Sequence, residues 1–283
     1  MKTPRDAGRF LALAPMDGIT DAVYRELLTT HVGGIDLCVT EFVRVNADAM
    51  PKHVLLREVP ELAKGGRTRV GVPVSVQLLG GKPEPMAETA LRAAELGALA
   101  IDLNFGCPAK TVNNHDGGAS LLRAPCRVEA VVAAVRAAVP PAIPVSAKVR
   151  LGWDSAAHVV DIAKAAEAGG ASWLTIHART RTQLYAPPVD WPSIGRARAA
   201  IAIPVVANGD LCSVADLEAC AQQTGCTAFM IGRAAMADPW LFRRAAGETL
   251  PSFDARAMST LLREYAAALL AAGVADRGAL ARL

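Results

Sequence analysis

Apolar positions along the chain fall into two alternating regimes. Short runs rich in Val, Ile, Leu and Ala predict strands at Phe10–Met16, Ile35–Val43, Val72–Leu79, Ala100–Asn104, Val145–Leu151, Trp173–Ala178, Val205–Asn208 and Ala228–Ile231. Between them, apolar residues recur at helical spacing, as in Pro85–Leu96, Val128–Val139, Ala156–Ala168 and Ser213–Thr224. Several of these helices run into glycine just before the next strand, at Gly97, Gly169-Gly170 and Gly225. Glycine supplies the left-handed conformation that a helix C-terminus needs. Pro144 and Pro204 stand immediately before strands, where a missing N–H costs little.

Alternation of this kind predicts a parallel sheet with crossover helices. Eight units favour closure into an α/β (β/α)₈ TIM barrel over an open sheet. The stretch Asn46–Arg69 is longer than a usual connection and reads as one helix plus a surface loop. From Asp238 onward no strand is expected. Met258–Ala272 repeats apolar residues at helical spacing, and a second helical run begins at Asp276 and stops at Leu283. The expected organisation is a barrel over residues 1–240 and a partial helical domain over 241–283 that looks cut off.

Composition narrows the picture. A length of 283 residues suits one barrel plus a short appendage. No apolar run is long enough to span a membrane. Met1–Arg9 leads into a short apolar segment without a cleavage pattern, so a cytoplasmic location is expected. The six cysteines form no C-x-x-C pair and the five histidines are scattered, which argues against a metal site or a disulfide framework. A net charge of +3 permits a nucleic-acid partner without demanding one.

In such a barrel, functional residues gather where strands end and loops begin. Here every strand end carries polar residues: Met16-Asp17-Gly18, Glu41, Arg44, Gln77, Asn104, Cys107, Lys148, Arg150, His177, Arg179, Asn208-Gly209-Asp210 and Gly232-Arg233. The loops after the last two strands are the usual phosphate site of this architecture. Gly209 and Gly232 would let backbone N–H groups approach a phosphate, and Arg233 would add a charge-assisted bond. The alternative is that both glycines only make turns. Lys148 lies inside a strand, where a lysine is rarely buried without a partner. A cation there would suit the electron-rich end of a reduced flavin ring. His177 reads equally well as a satisfied core histidine, and Gln77 as a solvent-facing strand end. Cys107 sits on the loop after the fourth strand, between Gly106 and Pro108, where a thiol could act as acid or nucleophile. The zincin, nucleophile-elbow and P-loop patterns are absent from the sequence.

Eight ordered segments resemble the motifs of the tRNA-dihydrouridine synthases. They are Ala14-Pro15-Met16-Asp17-Gly18, Thr40-Glu41-Phe42-Val43-Arg44, Val76-Gln77-Leu78-Leu79-Gly80, Asp102-Leu103-Asn104-Phe105-Gly106-Cys107-Pro108, Lys148-Val149-Arg150, His177-Ala178-Arg179-Thr180, Asn208-Gly209-Asp210 and Ile231-Gly232-Arg233. The second segment and the run Leu151-Gly152-Trp153-Asp154 look most like the bacterial C-type subfamily, which modifies uridine 16. The resemblance implies that Ala14, Pro15, Met16, Gln77, Lys148, His177, Asn208, Gly209, Asp210, Gly232 and Arg233 hold FMN. It makes Cys107 the general acid, places Asn104, Arg150, Arg179 and Tyr185 near the target base, and gives Arg44 a part in choosing the uridine. It also implies NADPH or NADH as electron donor, a tRNA substrate whose uridine leaves its stack, and a monomer.

Two departures stand out. Asp210 occupies a position where the subfamily commonly has Glu, and the helical domain that grips tRNA in the family is shorter here. The nearest alternative is an FMN barrel that reduces a free pyrimidine. Further off are a flavin-free phosphate-binding barrel with Lys148 as its reactive amine, and an RNA-binding barrel without catalysis.

Overall fold

The fold is that of a computed structural model, which describes residues 1–6, 8–251 and 254–273. Among the described residues nine short strands make one parallel sheet: β1 (Phe10–Leu13), β2 (Leu37–Val39), β3 (Val43–Arg44), β4 (Val74–Leu79), β5 (Ile101–Asn104), β6 (Val145–Arg150), β7 (Leu174–His177), β8 (Val205–Asn208) and β9 (Ala228–Ile231). Each strand pairs with its neighbours, β9 pairs with β1, and β2 pairs with β4, so the sheet closes into a barrel.

The second predicted strand is broken in two. Between β2 and β3 the ladder is interrupted at Thr40, whose Oγ1 accepts the Gln77 N–H at 2.9 Å. One side chain thus takes over a bond the backbone would otherwise make. Glu41 turns away and accepts the Gly18 N–H at 2.5 Å. Both pieces pair with β4, so together they fill one of the eight barrel positions.

Helices α1 (Ala22–His31), α2 (Lys52–Glu58), α3 (Pro83–Glu95), α4 (Lys110–Asn113), α5 (Pro125–Ala138), α6 (Val159–Ala168), α7 (Trp191–Ala199), α8 (Val214–Thr224), α9 (Ala234–Ala237), α10 (Leu241–Ala245) and α11 (Ala255–Ala271) follow the strands. The expected glycine stops at Gly97, Gly170 and Gly225 all adopt positive φ. The long connection after β3 holds more than one helix. A 3-10 turn over Pro60–Lys64 follows α2, and its Glu61 forms a fully buried pair with Arg25 of α1, two bonds of 2.8 Å each.

Residues on a strand alternate between faces. One parity faces the helices and forms the main core. The other points into the barrel, where Phe10, Ala12, Leu37, Val39, Ala100, Trp173, Val206, Ala228 and Met230 form a separate apolar cluster. The same inward parity on β4 to β7 brings Ser75, Gln77, Asp102, Ser146 and Thr175 into the interior, all buried. The barrel floor is therefore apolar, and one half of its upper lumen is polar.

Among the described residues, the elements after β9 are helices. α10 lies so close to Gly34 that a Cβ there would come within 2.9 Å of the Arg243 backbone. α11 runs beside α1, with the Tyr24 and Tyr265 rings edge to face at 5.6 Å. The helical run expected from Asp276 lies outside the described residues. Among the described residues no helix is long and apolar enough to cross a membrane, and no group of three or more His, Cys, Asp or Glu is placed to hold a metal ion.

Candidate active site

At the C-terminal ends of the strands the barrel opens into a cavity of about 820 Å³, within the usual range for a small-molecule site. Its wall brings together Ala14, Pro15, Met16, Gln77, Asn104, Cys107, Lys148, Arg150, His177, Tyr185, Asn208, Gly209, Asp210, Gly232 and Arg233. Two of the residues expected at the site, Arg44 and Arg179, lie elsewhere.

Arg179 is 1% exposed and sits behind the wall. Its guanidinium holds the Asp210 carboxylate through bonds of 3.0 and 2.5 Å, and its Nε donates to the Ala186 carbonyl at 2.7 Å. With its donors engaged in this way, it supports the β8 loop from below instead of facing the mouth. Arg44 ends β3 beside the cavity, its guanidinium 5.8 Å from the Phe42 ring. Phe42, unlike Arg44, lines the wall.

The loops after β8 and β9 are fixed by specific bonds. Asn208 donates from Nδ2 to the Met230 carbonyl at 2.8 Å, joining the ends of both strands. Trp191 Nε1 donates to the Gly209 carbonyl at 2.9 Å. Gly209 has φ +119, and a Cβ there would lie 3.1 Å from Ala178, so the position requires glycine. Asp210 follows at φ +50, its carboxylate shared between Arg179 and Arg233, the latter at 2.9 Å. The Arg179 hydrogen bonds are the main reason its carboxyl is held below the usual range. Arg233 therefore spends one arm on Asp210, and its guanidinium lies 5.1 Å from the Tyr185 ring.

On the opposite wall a chain of side-chain bonds fixes the Cys107 loop. Ser146 Oγ donates to Asp102 Oδ1 at 2.6 Å, and Gln77 Nε2 donates to Asp102 Oδ2 at 2.7 Å. Gln77 Oε1 then accepts Asn104 Nδ2 at 2.8 Å. That leaves Asn104 Oδ1 to accept the N–H groups of Gly106 and Cys107, at 2.9 and 3.0 Å. Because a carboxylate only accepts, Asp102 dictates which way both amides point. The Cys107 carbonyl is tied in turn to Ala119 N–H at 3.2 Å and Asn113 Nδ2 at 3.1 Å. Asp102 opens the motif segment Asp102–Pro108, yet the motif alone gives it no role. It lies two residues before Asn104 on the same strand, hence on the same inward face, and parity alone could have marked it.

Burial sets the protonation states. It pushes the Cys107 thiol up, which keeps it protonated at neutral pH. It pushes Lys148 down to about 8, with Arg150 adding to the effect and Asp102 and Cys107 opposing it. It also drives His177 well below its ordinary value, helped by Lys148, Arg150, Arg179 and Arg233, so the imidazole is neutral. His177 Nδ1 is buried without a hydrogen-bond partner among the described residues. Arg150 is 3% exposed and donates to the carbonyls of Gly106, Thr180 and Leu184, at 2.8, 3.0 and 2.8 Å. It ties the Cys107 loop to the loop after β7. Tyr185 is 55% exposed, with the Arg150 and Arg233 guanidiniums 5.4 and 5.1 Å from its ring. An open aromatic face at the mouth suits stacking of a planar ring.

The sequence matches the family described as dihydrouridine synthase over residues 12–274. It is similar to the tRNA-dihydrouridine(16) synthase of Cupriavidus necator, 52% identical over 237 residues, covering 84% of this chain and 73% of that protein. The enzyme of the same name from Ralstonia nicotianae is 48% identical over 238 residues, covering 84% and 73%. That from Pseudomonas syringae pv. tomato is 44% identical over 259 residues, covering 90% and 81%. A match over nearly the whole barrel, with the thiol-bearing loop set on its mouth, assigns the chain: it belongs to the dihydrouridine synthase family.

Proposed function

We propose that this protein reduces uridine 16 of tRNA to 5,6-dihydrouridine, with FMN as bound cofactor and NADPH or NADH as electron donor. Family membership and the names of the relatives support the reaction and the position. The single observation that carries the mechanism is the Cys107 thiol, kept protonated by burial on a loop that Asp102, Gln77 and Asn104 pin to the cavity wall.

The residues present fit FMN. The cavity is large enough, its polar wall carries the cation Lys148, and the buried Nδ1 of His177 lacks a partner that a ligand would supply. Ala14, Pro15, Met16, Gln77, Lys148, His177, Asn208, Gly209, Asp210, Gly232 and Arg233 would hold the group. When bound and reduced by the nicotinamide donor, it supplies hydride to C6 of the uracil ring. Cys107 gives its thiol proton to C5 of that ring and so completes the addition across the double bond. Tyr185 offers the flipped base a stacking surface at the mouth. Asn104 keeps one N–H beyond its bond to Gln77, and a pyrimidine carbonyl can accept it. Arg150 acts by holding the two flanking loops together, Arg179 by holding Asp210, and Arg44 stands at the edge where the choice of uridine is made. Residues 1–240 carry this chemistry, and 241–283 belong to the helical part that contacts tRNA. A tRNA substrate places the protein in the cytoplasm.

Mass mapping of tRNA from cells with and without the protein tests this reading. Loss of one dihydrouridine, at position 16, is expected. An unchanged tRNA would overturn it, and turnover of free uracil without turnover of tRNA would replace it with the free-pyrimidine alternative. With the purified Cys107→Ala variant, retained flavin and retained NADPH oxidation but no dihydrouridine are expected. Normal product from that variant would remove Cys107 from its role.

A further inference from the structure

The run Leu151-Gly152-Trp153-Asp154 does nothing in the chemistry above, yet the structure builds a distinct surface on it. Trp153 follows β6 at the barrel mouth and is only partly buried against the core. Two guanidiniums lie over its indole: that of Arg123 at 3.7 Å and that of Arg181 at 4.6 Å from the ring centroid. They come from different loops. Arg123 ends the 3-10 turn Gly118–Arg123, which hangs from the Cys107 loop through the Ala119 N–H to Cys107 carbonyl bond. Arg181 follows β7, and its loop is joined to the Trp153 loop by two backbone bonds of 2.9 Å, Arg181 N–H to Gly152 and Thr182 N–H to Trp153.

Among the described residues neither guanidinium forms an ion pair or a side-chain hydrogen bond, and the Arg181 Nε is buried without a partner. Most arginines near the mouth differ. Arg179 and Arg233 are spent on Asp210, and Arg150 on three carbonyls. Stacking on an indole holds a guanidinium in place while leaving its in-plane donors free. Two such groups on one platform match the charge of a phosphodiester backbone, whose oxygens accept paired N–H bonds. Asp154, the next residue, is exposed and pairs with neither arginine.

We propose that Arg123, Trp153 and Arg181 form a clamp for the phosphate backbone of the RNA substrate at the rim of the cavity, on the side of the Cys107 loop. The inference rests on tRNA being the substrate. The clamp acts on the strand flanking the reacting nucleotide. Through the Gly118–Arg123 turn, the element that grips the backbone is attached directly to the loop that carries the acid.

The test is the double variant Arg123→Gln/Arg181→Gln in the full chain, with binding of unmodified tRNA measured separately from turnover. Each phosphate contact adds roughly 0.7–0.9 to the slope of log affinity against log salt. Loss of both contacts should flatten the slope by about 1.5 and weaken tRNA binding about tenfold near physiological salt. Flavin content and flavin reduction by NADPH should not change, since neither arginine touches the cavity. Trp153→Leu, which removes the platform but not the charges, should move affinity the same way with a smaller change in slope. Unchanged affinity and slope in the double variant would overturn the clamp and leave the pair to an acidic protein partner. A wild-type protein that binds tRNA but never reduces it would instead sink the functional reading, while the binding comparison would still judge the clamp.

Discussion

Asp102 shows how one buried residue governs a site it does not reach. Its carboxylate accepts from Ser146 and Gln77, and that acceptance propagates through Asn104 to the Cys107 backbone. Asp102→Leu should therefore slow the tRNA-dependent reoxidation of reduced flavin by about a hundredfold, on the order of 3 kcal/mol, the range expected when a buried network loses its anchor. Asp102→Asn keeps an acceptor toward Gln77 and should stay within about threefold of wild type. Stopped-flow rates that fall equally in both variants, or in neither, would show that amide polarity is not what Asp102 supplies. Lys148 makes a second residue-level statement, in pH. Its native value is lowered to about 8, against about 10.4 in the unfolded chain. Between those values the unfolded state binds more protons, so this group makes folding more favourable as pH rises from about 8 toward 10. Urea unfolding of the apo-protein should show that gain, on the order of 2 kcal/mol, for wild type relative to Lys148→Met. Parallel pH curves for the two proteins would mean that Lys148 titrates as an ordinary lysine.

At the scale of elements, the sequence was legible where local rules decide. The strands of the barrel and the glycine-terminated helices follow from periodicity and capping. What periodicity missed was decided by partners. The apolar run Ile35–Val43 gives no sign of its break, because the break is made by Thr40 Oγ1 accepting an N–H from another strand. The place of Arg179 was equally hidden. Its guanidinium is drawn inward by the Asp210 carboxylate, which the positive φ of Asp210 turns toward it. The 3-10 turn after α2 went unread because its anchor, the Arg25–Glu61 pair, joins residues 36 positions apart. That pair carries a prediction. Arg25→Met strands a buried carboxylate, and removing one partner of a buried pair costs about 3–5 kcal/mol. A loss below about 1 kcal/mol in urea unfolding would show that Glu61 finds water or another donor. Gly209→Ala tests the β8 loop. A side chain at φ +119, 3.1 Å from Ala178, should cost about 1–3 kcal/mol and loosen flavin retention, measured as flavin lost on gel filtration.

At the scale of the molecule, one question is whether the chemistry needs the helices beyond β9. The two parts of that tail are attached differently. α10 is built into the barrel: Leu241, Phe242 and Ala245 are buried, and Gly34 lets its backbone approach within a Cβ radius. α11 covers α1 from outside, through Leu261, Tyr265 and Leu269 on one face, and lines no part of the cavity. Packing on an outer helix stabilises the barrel without shaping its mouth. Ending the chain after Gly247 should thus lower the melting temperature, since Tyr24 and Leu27 lose their cover. Flavin content and NADPH-driven flavin reduction should remain within about twofold, because no wall residue moves. Affinity for tRNA should drop about tenfold or more if the helical part contributes to RNA binding through backbone phosphates. The two readouts separate the possibilities. A shortened chain that sheds its flavin would make α11 part of the barrel's own integrity. A shortened chain that keeps both flavin and full tRNA affinity would place the whole grip on the barrel rim, where Arg123 and Arg181 already stand with their donors unspent.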